Sequence, residues 1–178
     1  SPVGAYYPEG FNPVKIQVTR EHVRAVRGGV GEAKTLGNYA ASLLAGDKAH
    51  QAGYTQVLWL DGVELKYVEE VGSMNIFFVI GDELVTPALN GSILPGITRD
   101  LIIELAAGNA LPYREADIAV AELTSAEEIW LTSSTREISP VVRLDDEAIG
   151  DGRPGPVWEH MTILFQAYKD SICKTATA

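Results

Sequence analysis

The chain has 178 residues, 46% of them hydrophobic and 21% charged, with 14 basic against 24 acidic side chains and a formal charge of −10. This composition fits a soluble globular domain with one sizeable core, and the acidic balance repels phosphate backbones and anionic membrane surfaces, so neither nucleic acid nor membrane is an expected partner. No apolar run approaches the roughly 20 residues that cross a bilayer, the first residues lack the segments of a signal peptide, and the lone Cys173 forms no internal disulfide, which together point to a reducing cytoplasm.

Residues 14 to 18, VKIQV, alternate as a half-buried strand entered from Pro13. RGGVGEAKTLGN follows as a glycine-rich loop, and Asn38 is the expected cap of a helix through YAASLLAGDKAHQA, with Leu43, Leu44 and Ala49 on its apolar face and Gly53 as its stop. QVLWL (56 to 60), NIFFVI (75 to 80) and ELVTP (83 to 87) read as strands, the last two as a hairpin across Gly81 and Asp82. After LNGSILPG, the segment ITRDLIIELAAG reads as a helix: Thr98 and Asp100 stand near its start, Ile97, Leu101 and Leu105 recur at helical spacing, and Gly108 ends it. Further short strands are predicted at 113 to 118, 128 to 133 and 137 to 143, and VWEHMTILFQAYKDSI closes the chain as an amphipathic helix. Hairpins and crossovers interleave irregularly. The expected fold class is therefore α/β (α+β), a mixed-sheet pseudo-barrel with surrounding helices, formed by residues 1–178 as a single domain.

Three local features carry chemistry. Lys34 lies among Gly28, Gly29, Gly31, Ala33 and Gly37 directly before a helix, a setting in which a lysine can approach a planar ligand; alone, it reads first as a solvated surface residue. In LPGITRD, Leu94 to Asp100, a Pro-Gly turn runs into a helix start whose free N–H groups and dipole can hold a phosphate, with the Thr98 hydroxyl beside them; an ordinary turn before a helix is the plainer reading. In EEVGSMN an acid stands on the approach to the apolar strand that begins at Asn75. A carboxylate against the pyridine nitrogen of pyridoxal phosphate keeps that ring protonated, so lysine, acid and phosphate cup could form one site.

Taken together, GGVGEAKTLGNYAASLL, VLWLDG, EEVGSMNIFFVI and TPALNGSILPGITRD closely resemble branched-chain amino acid aminotransferases of the pyridoxal phosphate fold-type IV family. The resemblance implies pyridoxal 5′-phosphate as cofactor, amino acid and 2-oxo acid substrates, and a homodimer. It implies that Lys34 forms the Schiff base and moves the proton of the substrate α carbon, that Tyr39 contacts the cofactor's phenolic oxygen, and that Glu70 pairs with the pyridine nitrogen, with Glu69 the alternative. Ile97 and Thr98 would bind the phosphate together with Ser134, the backbone near Thr135 would meet the substrate carboxylate, and Tyr6 would border the substrate pocket.

The sequence departs from the family pattern in three ways. Leu36 replaces a glycine beside the cofactor loop. Beyond about residue 105, YREADI, IWLTSSTREISPV and GDGRPGPVW resemble D-amino acid aminotransferases instead, which suggests a chimera of two homologous domains. The family's small N-terminal domain, which supplies a phosphate-binding arginine, has no counterpart in these residues. The competing expectations are a domain that binds the cofactor without turnover, and lyase chemistry on an aminodeoxychorismate-type substrate. No metal is expected, because His22, His50 and His160 are scattered, and GGVGEA lacks the dinucleotide-binding GxGxxG pattern.

Overall fold

The computed structural model describes residues 13–176, so Tyr6, expected at the substrate pocket, lies outside the described residues. Strands covered on both faces read as continuous apolar runs rather than as alternating ones. That is why β4 (Asn75–Ile80) and β7 (Glu128–Ser133), paired at the centre of the sheet, are so uniformly hydrophobic. Around them lie β1 (Val14–Val18), β2 (Gln56–Leu60), β3 (Val68–Val71), β5 (Glu83–Pro87), β6 (Tyr113–Ala116), β8 (Glu137–Leu144) and the short β9 (Glu147–Ala148). The order is β3-β2-β1-β8-β7-β4-β5-β6, with β9 on β8. Pairing is parallel for β1 with β2, β1 with β8 and β5 with β6, and antiparallel elsewhere, so the sheet is mixed as expected.

The two ends of that order curl towards each other. An antiparallel bridge joins Tyr67 to Ala119, the Val68 N–H donates to Ile118 O at 2.9 Å, and the Val120 N–H donates to Lys66 O at 2.8 Å. The fold is a half-barrel whose interior is filled by Ile16, Leu58, Leu60, Val71, Ile76, Phe78, Val85, Ile129 and Leu131. Side chains one residue out of phase on β4 and β7 point the other way. There Phe77, Val79 and Trp130 pack against Ile102 and Ala106 of α2 (Ile97–Gly108) and Met161 and Phe165 of α3 (Pro156–Ala176), with the Phe77 and Trp130 rings stacked 5.5 Å apart.

Two local expectations are corrected. The first helix, α1, runs Leu36–Gln51 with Thr35 as its N-cap residue, so Asn38 is not the cap. Its buried side chain instead donates to Val30 O at 2.7 Å and Ala33 O at 3.2 Å, tying the glycine-rich loop to the helix. The packed face of α1 is also not the leucine face: Leu43 and Leu44 are exposed, whereas Ala45 and Ala49 are buried against Val57 and Trp59 of β2. Small residues let the helix axis come close to the large indole, and the leucines are turned outward as a result. Val68–Val71 is a buried strand of its own, joined to β4 by a tight turn in which Val71 and Met74 exchange N–H to C=O bonds.

Candidate active site

The loop carrying Lys34 passes close to the loop before α2. A Cβ on Gly31 would stand 2.2 Å from Ser92 O, so only glycine allows that approach. Arg24, at the start of the same segment, bridges the gap: its buried guanidinium donates to Gly31 O at 3.3 Å and to Ser92 O at 2.7 Å, and forms an ion pair with Glu70. Lys34 itself is exposed, its ammonium 5.3 Å from the centre of the Tyr39 ring.

Adjacent acids on a strand face opposite ways, and β3 separates Glu69 from Glu70 accordingly. Both are 2% exposed. Glu69 accepts hydrogen bonds from Ser92 Oγ and, at 3.1 Å, from Asn90 Nδ2. Glu70 takes Arg24 on one oxygen, and on the other the side-chain amide of Asn75 and the Leu94 N–H, each at 3.3 Å. Burial pushes the Glu70 carboxyl up from 4.5 to about 7, against the downward pull of Arg24, the Leu94 amide and Lys34. Glu70 is thus linked through Asn75 to the wall of the space beyond.

Beyond Asn75 opens a cavity of about 230 Å³. Its floor is the start of α2, where Gly96 is the N-cap residue and no side chain caps the helix. A Cβ on Gly96 would stand 2.1 Å from Asn75 Oδ1, so this glycine lets the helix end meet the sheet. Lys34, Asn75, Leu94, Ile97 and Thr98 line one side, and Thr132, Ser133 and Ser134 from the end of β7 line the other. Neither Asp nor Glu is among the lining residues. Unpaired helix amides, several hydroxyls and an ammonium around one small space favour an anion.

The structure therefore brings Lys34, Ile97, Thr98 and Ser134 to one cavity, with Glu70 one side chain behind its wall and Tyr39 beside the lysine. The Ile97 side chain is exposed, which leaves its backbone as the part that faces an anion. Thr135 is exposed and not among the cavity's lining residues, its hydroxyl 3.4 Å from Ser133 Oγ. Sequence reasoning missed Arg24 and Thr132. Nothing local distinguishes Arg24 from its neighbours Arg20 and Arg27, because its role depends on β3 and the Ser92 loop lying beside it. Thr132 was legible only through strand alternation, which sets it on the same face as Ser134.

Comparison with known proteins identifies this arrangement. The model of the family described as amino-transferase class IV matches residues 4–144. Branched-chain-amino-acid aminotransferase 2 of Bacillus subtilis (strain 168) is 53% identical over 167 residues, covering 88% of this chain and 46% of that protein. The branched-chain-amino-acid aminotransferase of Mycobacterium tuberculosis (strain CDC 1551 / Oshkosh) is 48% identical over 174 residues, with the same two coverages. Such alignments run across residue 105 within a single relative. Among solved structures, the branched-chain amino acid aminotransferase of Escherichia coli superposes with a TM-score of 0.84 at 34% identity, covering 94% of this chain and 55% of that one. The branched-chain amino acid aminotransferase from Thermobaculum terrenum in its PLP-form (holo-form) gives 0.80 at 28% identity, covering 89% and 52%. The chain spans about half the length of the curated relatives it matches. It belongs to the amino-transferase class IV family.

Proposed function

We propose that this chain carries the cofactor-holding half of the chemistry of a branched-chain amino acid aminotransferase, moving an amino group between an amino acid and a 2-oxo acid with pyridoxal 5′-phosphate. The observation that carries the reading is the shared cavity: an uncapped helix start and a lysine meet there, with a buried, arginine-paired carboxylate behind the wall. The fit to the cofactor follows from the donor set. The amides of Ile97 and Thr98, with the Ser134 hydroxyl, suit a phosphate; Glu70 suits a pyridine nitrogen, since a carboxyl poised near 7 readily shares a proton with it. When bound, the cofactor supplies an electron sink that withdraws charge from the substrate's α carbon.

The chain's own residues do the rest. Lys34 Nζ would hold the cofactor and, when freed by the substrate amine, would accept the proton of the substrate's α carbon and deliver it across the intervening nitrogen to the cofactor's exocyclic carbon. Arg24 holds Glu70 in place and favours its ionised form. Tyr39, beside Lys34, orients the ammonium and presents its hydroxyl to the ring oxygen of the cofactor. The backbone near Thr135 is the proposed contact for the substrate carboxylate. A branched aliphatic side chain is the proposed substrate preference, on the strength of relatives so named.

The test is covalent trapping. Incubation with pyridoxal 5′-phosphate followed by borohydride should add one cofactor mass to the peptide containing Lys34, and Lys34→Ala should take up none. Equal labelling of surface lysines in both proteins would reject the site. Trapping at Lys34 without amino transfer to 2-oxoisocaproate would leave binding standing and remove turnover from this chain.

A further inference from the structure

Buried hydroxyls are nearly always hydrogen-bonded, and one that is not calls for an explanation. Thr132 is 1% exposed, yet its Oγ1 has no hydrogen-bond partner, and the residue lines the cavity at the start of α2. The sheet places it there. Thr132 stands opposite Asn75 in the β4–β7 register, and alternation along β7 turns it to the face where α2 packs. Asn75 does not satisfy it: its side-chain nitrogen bonds Glu70 and Leu94 O, and its Oδ1 is turned to Gly96. Across the cavity stand pure donors, the first amides of α2 and the Lys34 ammonium, and the hydroxyls of Thr98 and Ser134, with none of which the Thr132 hydroxyl is hydrogen-bonded. A hydroxyl in such company lacks an acceptor, and a group with several acceptor oxygens and no donors supplies one.

We propose that the Thr132 hydroxyl is a further ligand of this site, donating a hydrogen bond to an oxygen of the phosphate group held at the start of α2. The inference rests on the cofactor reading above. The same donors would hold a free phosphate or a phosphate ester, and the two are separated by experiment. An unsatisfied buried hydroxyl also lowers the stability of the unliganded protein, so the residue trades stability for binding.

The test compares wild type, Thr132→Val, which keeps the shape and removes the hydroxyl, and Thr132→Ser, which keeps the hydroxyl. Each is titrated calorimetrically with pyridoxal 5′-phosphate, inorganic phosphate and pyridoxal, and melted without ligand. The expected result is that Thr132→Val binds pyridoxal 5′-phosphate about tenfold or more weakly, as for loss of a hydrogen bond to a charged group. Its affinity for pyridoxal should be unchanged, Thr132→Ser should restore phosphate-dependent binding, and unliganded Thr132→Val should melt at or above wild type. Weakened binding of inorganic phosphate in step with the cofactor assigns the contact to the phosphate group whatever its source. Wild-type affinity of Thr132→Val for pyridoxal 5′-phosphate would overturn the inference and leave the cofactor site intact. Equal loss for pyridoxal would move the contact to the ring and overturn it too. A Thr132→Val protein that melts well below wild type would make the hydroxyl structural. A wild type that binds neither phosphate compound would overturn the cofactor reading and this inference together.

Discussion

Two helices start on the same face of the sheet, and their first turns are treated in opposite ways. At α3 the chain supplies its own anion: Glu128 of β7 accepts the Val157 N–H at 2.9 Å and the Trp158 N–H at 2.8 Å, one on each carboxylate oxygen. At α2, four residues further along that face of β7, the partner is an orphaned threonine and no side chain caps the helix. A helix start carries about half a positive charge, and both ends need an acceptor. The first is satisfied from within and serves folding. The second has no side-chain cap and opens on the cavity, which is the feature the proposed phosphate contact uses. The two buried carboxylates differ in the same sense. Glu128 is neutralised by amides that cannot leave, whereas Glu70 is held by Arg24 and a neutral amide beside the cavity.

The largest expected effect comes from breaking the support of Glu70. Arg24→Ala removes the counter-ion of a buried carboxylate, which at about pH 8 to 9, where Glu70 is ionised in the wild type, should cost about 3–5 kcal/mol in a urea titration. A loss below about 1 kcal/mol would mean that Glu70 is already neutral or hydrated and that Arg24 holds nothing.

Next in size is the pH dependence. Glu70 keeps its proton in the folded protein to about pH 7, whereas the unfolded chain loses it near 4.5. Unfolding therefore releases a proton between those values, and stability falls as pH rises through that window, by up to about 3 kcal/mol. Glu70→Gln should flatten this fall between pH 4.5 and 7. An identical slope in wild type and Glu70→Gln would assign the titration elsewhere.

Glu128→Ala should cost about 2 kcal/mol through the loss of the cap of α3, while affinity for pyridoxal 5′-phosphate stays at the wild-type value. The smallest change concerns the other helix start. Gly96→Ala presses a methyl on the buried Asn75 and narrows the cavity, so it should weaken cofactor binding about tenfold, roughly 1.4 kcal/mol, and lower the melting temperature as well. If Glu128→Ala weakened the cofactor and Gly96→Ala did not, the assignment of the two helix starts would be reversed.

Local pattern locates most elements. The strands at 14 to 18, 56 to 60, 75 to 80, 83 to 87 and 128 to 133 coincide with those observed, as does the helix at 97 to 108, because each is bounded by glycine, proline or a turn and is long enough to show its period. The chain motif also announces Lys34 and the open helix start, since both depend on residues within one loop. Where local pattern misleads, the deciding partner is distant in sequence or belongs to a competing loop. Asn38 reads as a cap because Asn is a good one, but the glycine-rich loop competes for its amide. Leu43 and Leu44 read as core on hydrophobicity, but Trp59 accepts only the small side chains of Ala45 and Ala49.

The sequence by itself determined the family and the class of sheet, and it marked Lys34 and the turn before α2 as candidates; these are properties of short contiguous segments whose backbone geometry and hydrophobic period are set locally. Only the tertiary structure decided that Arg24 holds Glu70 and that, among the described residues, Thr132 faces the cavity without a hydrogen-bond partner. Burial, an ion pair across 46 residues of chain and an unsatisfied hydroxyl are relations between segments, and folding alone sets them.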